Sequence, residues 1–243
     1  MKIRIRLAMC FTLLSTQTFS ATIEDQAERL TTIVSALNSE TLNSKPGGKV
    51  DGKISFNLNL GVIPDFDKTV GTKQEAEDSA PAIPKPSLRF NYANFFIEVG
   101  GTPKISAFNV ESQNFSTKVG YGQTFGKHSF SLWGSYNKGK VVADITNPEI
   151  NSADELSYSS RVINLTYGYR FKTLVPFITF GSGTFDSELF IPTDSNTIDA
   201  THNGMTSGVG INYQISKSTN LIGEVNVVDR IVIHPRIGVN VTF

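Results

Sequence analysis

Cysteine, histidine and tryptophan are all scarce in this chain. There is one cysteine, Cys10, one tryptophan and three histidines in 243 residues. A lone cysteine near the N-terminus leaves no disulfide, no thiol redox pair and no cysteine metal cluster. His128, His202 and His234 stand far apart, and no pair has the His-x-x-x-His spacing that puts two zinc ligands on one helix face. Charge is sparse as well: charged residues make up 18%, against roughly 25% in ordinary soluble chains. The formal net charge is zero, which offers no basic surface for nucleic acid. Apolar residues reach only 39%, and no run approaches the roughly 18 apolar residues that a membrane-spanning helix needs. Low charge without such a helix fits a chain in which only every second residue meets lipid.

The N-terminus has the layout of a secretory signal peptide. Lys2, Arg4 and Arg6 precede the apolar segment Leu7–Leu14, and Thr18 and Ser20 supply small residues before a cut after Ser20. Residues 1–20 are therefore expected to be removed, which also removes Cys10 and leaves the mature chain mildly acidic. Met9 stands before Cys10 where lipid attachment needs a small residue, which argues against a lipoprotein. Residues 21–52 read as a periplasmic helix and linker. Ile23, Ala27, Leu30, Val34 and Leu37 build one apolar stripe at helical spacing. Thr22 caps its start, and Asn43–Gly48 breaks the pattern. The stripe suits packing against a barrel rim or another chain, or plugging a lumen.

From residue 53 the period changes to two. Ile54, Phe56, Leu58 and Leu60 alternate with Ser55, Asn57 and Asn59; Leu88, Phe90 and Tyr92 with Arg89 and Asn91. The same alternation recurs over 115–122, 128–136, 163–171 and 208–215. Strands place alternate side chains on opposite faces. The non-apolar face is rich in Gly, Ser, Thr and Asn, which suits a confined interior better than an open surface. Short connections at 93–94, 126–127, 172–173 and 216–219 alternate with longer segments at about 61–85, 108–113, 146–157 and 186–203. Counted back from the end, this predicts an all-β fold: an antiparallel transmembrane β-barrel of about ten strands, bracketed by eight and twelve, spanning residues 53–243 behind a short N-terminal helix. Tyr121, Phe125, Phe130, Tyr169, Phe171 and Tyr213 fall beside the short turns, where an aromatic girdle belongs.

The last residues keep the alternation to the final atom: Ile237, Val239, Val241 and Phe243 are apolar, and Arg236, Gly238, Asn240 and Thr242 lie between them. With the signal peptide and the alternating strands, this ending resembles that of bacterial outer-membrane β-barrel proteins, either small porin-like barrels or solitary autotransporter-like ones. The resemblance implies a Gram-negative outer membrane with both termini periplasmic. It also implies that Ile237, Val239, Val241 and Phe243 form the signal read by the barrel-assembly machinery. Arg89, Glu98, Lys118, Arg170, Glu224 and Arg236 are expected to face the lumen, because lipid-facing Arg or Lys costs roughly 2–4 kcal/mol at the bilayer midplane. A barrel of this size has a narrow or closed lumen. No cofactor, metal or nucleic acid is expected; outer-membrane lipid and the assembly machinery are the expected partners. The functional expectation is a non-enzymatic barrel with a structural or surface-interaction role, its recognition loops at 61–85 and 186–203. A narrow pore is one alternative. A lipid-modifying or proteolytic enzyme, with Asp186, Ser187, Glu188 and His202 sharing one loop, is another. The loop 61–85, polar and proline-rich, is expected to be mobile.

Overall fold

A computed structural model describes residues 54–62, 82–107, 110–143, 154–191, 196–228 and 232–243. The expected signal peptide (1–20), the helix stripe (22–38), most of the 61–85 loop and the turn at Asp229–Arg230 lie outside the described residues. The alternating segments form ten strands: β1 Ile54–Val62, β2 Ala82–Tyr92, β3 Phe95–Ala107, β4 Val110–Phe125, β5 His128–Ala143, β6 Asp154–Tyr169, β7 Leu174–Ile191, β8 Asn196–Gln214, β9 Thr219–Val228 and β10 Val232–Thr242. Each pairs antiparallel with its sequence neighbours, and β10 returns to β1, so the sheet closes into a barrel with no free edge. At the seam, Ser55 faces Thr242 and Gly61 faces Arg236, and the Phe243 backbone N–H donates to the Ile54 carbonyl at 2.9 Å. The C-terminal strand is thus paired along both sides to its last residues.

The polarity of the wall is that of a membrane protein. Large apolar side chains point outward, with Leu132 at 55% exposure and Ile163 at 65%. Asn57, Asn137, Asn164 and Thr166, at 0%, lie within. In the lower wall the apolar face meets lipid and the polar face meets its own kind, the reverse of a soluble sheet. At the short-turn end Tyr121, Phe125, Phe130, Phe171 and Tyr213 are exposed on the outer wall. Phe95 packs on Tyr121 at 5.1 Å between ring centroids, Phe125 on Phe130 at 6.4 Å and Tyr169 on Phe171 at 4.6 Å.

The long connections are shorter than the sequence suggests. β4 starts at Val110, β6 at Asp154, and β7 and β8 run through nearly all of 186–203. The expected recognition loop 186–203 is therefore largely two paired strands, with Glu188 facing Asp199 and Phe185 facing His202. The reason is a reversal of phase. In this upper part apolar residues point inward, Phe190 excepted: Leu156 and Leu189 are buried, with Val141 and Ile198 packed on them. The polar ones point outward: Ser157, Ser159, Asp186, Glu188 and Thr201 are half-buried or exposed. A strand that has left the bilayer obeys the soluble rule, polar out and apolar in, and by a membrane criterion it reads as loop.

Candidate functional site

Among the described residues the buried polar side chains gather in the interior. Asparagines at the seam, each on the inward face of its strand, pass hydrogen bonds from strand to strand. Asn220 Nδ2 donates to Asn240 Oδ1 at 3.3 Å, and Asn240 in turn donates to Asn57. Asn57 Nδ2 donates to Ser87 Oγ at 3.3 Å, and Ser87 donates to Glu98 Oε1 at 2.7 Å. The chain crosses β9, β10, β1, β2 and β3, so side chains bridge the same closure that the backbone ladder makes. On the far wall Trp133 Nε1 donates to Thr166 Oγ1 at 3.1 Å, Thr166 and Thr179 lie 2.9 Å apart, and Thr206 Oγ1 donates to Asn164 Oδ1 at 2.6 Å.

Charged side chains sit in cross-strand register within this network. Arg89 faces Glu98, and Glu98 faces Lys118, giving opposite signs along β2, β3 and β4. Arg236 faces Glu224 across β10 and β9. Two cations also lie over aromatic faces: the Arg89 guanidinium 3.7 Å from the Phe96 ring centroid and Lys118 Nζ 4.8 Å from that of Trp133. A desolvated cation over a ring gains on the order of 2 kcal/mol, which helps offset its burial.

Of the six charges expected inside, Arg89, Glu98, Lys118, Glu224 and Arg236 are buried there. Arg170 is not. It follows the last ladder pair of β6, is exposed at the short-turn end, and its backbone N–H donates to the Lys127 carbonyl at 2.8 Å. Alternation extended one residue too far assigned it a face, but the strand had already ended at Tyr169. Lys85, buried on β2, adds a cation to the interior that the sequence reading passed over. Ile237, Val239 and Phe243 are exposed on the outer wall, with Val241 half-buried.

The residues considered for catalysis do not converge. Ser187 and His202 are on the inward face, whereas Asp186 and Glu188 alternate to the outward one. Asp186 Oδ1 instead accepts from Thr201 Oγ1 at 3.0 Å, and His202 stacks on Phe185 at 6.3 Å. The other histidines are elsewhere: His128 bonds the Tyr167 hydroxyl at 2.9 Å on the outer wall, and His234 is buried in β10. Among the described residues no three His, Cys, Asp or Glu side chains gather as for a metal ion.

What sequence reasoning missed is the aromatic filling. Trp133 is 1% exposed, Phe177 3% and Phe96 5%, all on the face assigned to small polar groups. Each large ring lies beside glycine. Phe96 and Trp133 flank Gly120 in register, and Phe177 sits between Gly168 and Gly210. Large against small across neighbouring strands is how a narrow barrel fills its bore. The signal was present as aromatics out of phase with the apolar face, but the register was needed to pair each one with its glycine.

No family model matches the chain, and no curated protein matches it. Among solved structures it is similar to Ail, the attachment invasion locus protein of Yersinia pestis, in complex with the heparin analogue sucrose octasulfate. That match has 9% identity and a TM-score of 0.40, covering 80% of this chain and 100% of that one. The outer membrane protease OmpT from Escherichia coli matches at 14% identity and a TM-score of 0.41, over 84% of this chain and 99% of that one. Neisserial surface protein A matches at 10% and 0.35, over 81% and 99%. None of these values transfers a role. The strand pairing and the distribution of polarity stand on their own, and they are those of a transmembrane β-barrel: ten antiparallel strands, closed, apolar outside and mostly polar within.

Proposed function

We propose that the protein is a sealed, non-catalytic barrel of the bacterial outer membrane that presents the upper parts of β5–β8 at the cell surface for structural or recognition purposes. One observation carries this reading. An inward residue from every strand, Asn57, Arg89, Glu98, Lys118, Trp133, Asn164, Phe177, Asn212, Ile222 and Asn240 in order, is at most 6% exposed. A water-filled lumen wets its lining; this one is packed. On this reading the short turns and both termini are periplasmic, and Ile237, Val239, Val241 and Phe243 are read by the assembly machinery. The upper sheet, with its outward Ser, Asp, Glu and Thr side chains, then stands in water above the outer leaflet. The test is conductance of the folded protein in planar lipid bilayers. Silent membranes are expected; regular single-channel steps that depend on the protein would replace this reading with a narrow pore.

A further inference from the structure

The outer wall carries a trough of about 680 Å³ that spans β4 to β8. Two hydrogen-bonding rows build it. The lower row runs Val119, Gly134, Ile163, Ser182, Met205. Bulky side chains alternate there with glycine and serine, so two slots open between three ridges. The upper row has Tyr136, Arg161, Thr184 and Asn203 in register. It is polar, with an exposed guanidinium in its middle.

This upper row lies at the change of phase. On β6 to β8 the outward residues below it are apolar, Ile163, Leu165 and Phe180; directly above it they are Ser159, Asp186 and Thr201. With about 3.3 Å per residue and a tilt of about 40°, Arg161 stands about 20 Å above the girdle residue Tyr169. The apolar band of such barrels is about 25 Å tall, so Arg161 reaches the far lipid–water border. Among the described residues its side chain makes no hydrogen bond or ion pair. The nearest carboxylate in register, Asp186 one row up, is engaged by Thr201.

We propose that this trough is a binding site for one anionic, phosphate-bearing lipid. Its phosphate sits on Arg161, and an acyl chain lies down the slots left by Gly134 and Ser182. An unpaired guanidinium at the headgroup level calls for an oxyanion, and its planar fork suits a phosphate. The slots below it suit a chain. The proposal rests on the membrane reading above and gives it a specific lipid contact.

The experiment is native mass spectrometry of the folded barrel in detergent with dimyristoyl phosphatidylglycerol or phosphatidylcholine added at equal concentration. Folding of every sample is checked by the heat-dependent gel shift, so that loss of the barrel is seen separately from loss of lipid. One retained phosphatidylglycerol is expected, in preference to phosphatidylcholine. Retention should fall at least fivefold in Arg161→Gln and in Gly134→Leu, and persist in Lys127→Gln at the opposite end. A Cβ at Gly134 meets only the Val162 carbonyl, at 3.7 Å, so a side chain enters the slot there without a backbone clash at its first carbon. Equal retention of the two lipids, or unchanged retention in either trough variant while the barrel is folded, overturns the proposal.

Discussion

Gly126 has φ +59°, in the two-residue turn between β4 and β5, and a Cβ there would meet nothing within 4 Å. Any cost of alanine is therefore conformational, about 1 kcal/mol for an L-residue in the left-handed region. Gly126→Ala should lower the urea unfolding free energy in lipid vesicles by that amount, and an unchanged midpoint would refute the backbone argument. Gly210 is a glycine for a different reason: a Cβ there would overlap the Phe177 ring and lie 2.9 Å from Glu224 Cβ. Gly210→Val should cost about 1–3 kcal/mol as overpacking, and adding Phe177→Ala should recover part of it. Purely additive losses in the double variant would show that the ring and the glycine are not partners. At this scale the interior charges were legible, because Arg89, Glu98, Lys118, Glu224 and Arg236 occupy the polar phase of clear alternation. Arg170 was not, since its assignment depended on where β6 stops. Trp133, Phe96 and Phe177 were not either, since an aromatic on the polar face is explained only by the glycine that the register brings beside it.

The β1–β10 seam is the element that closes the barrel, and Asn240 stands at its centre between Asn220 and Asn57. Replacing Asn240 by Ala removes a partner from both neighbours in the buried interior, at about 1–3 kcal/mol for each buried group left unsatisfied. Equilibrium unfolding should show at least that loss, and a neutral outcome would mean that the backbone ladder alone holds the seam. On β5, Leu132 faces outward in register with Tyr121 and Leu165. Leu132→Arg should cost roughly 2–4 kcal/mol in vesicles if this row faces the hydrocarbon; unchanged stability would remove it from the lipid belt. The lower strands were legible because one rule, apolar outward, held along their whole length. The upper parts of β6, β7 and β8 were not, because there the rule inverts: Leu156, Phe185 and Leu189 turn inward once the outer face meets water. A segment that changes phase midway loses its period and passes for a loop.

For the whole molecule, a folded sample should migrate differently on a gel before and after boiling, since a closed sheet resists detergent until heated; no shift would contradict closure. The sequence by itself determined that the chain is a membrane barrel of about ten strands and which residues of the lower wall point outward, because each follows from local alternation, turn length and the cost of charge in hydrocarbon. Tertiary structure decided the rest. Only the closed register shows that rings and glycines interlock to fill the bore, that one asparagine chain crosses the seam, and that Gly134, Ser182 and Arg161, widely separated along the chain, share one trough. Those are relations between strands, set by pairing across the barrel, and a single chain read along its length does not contain them.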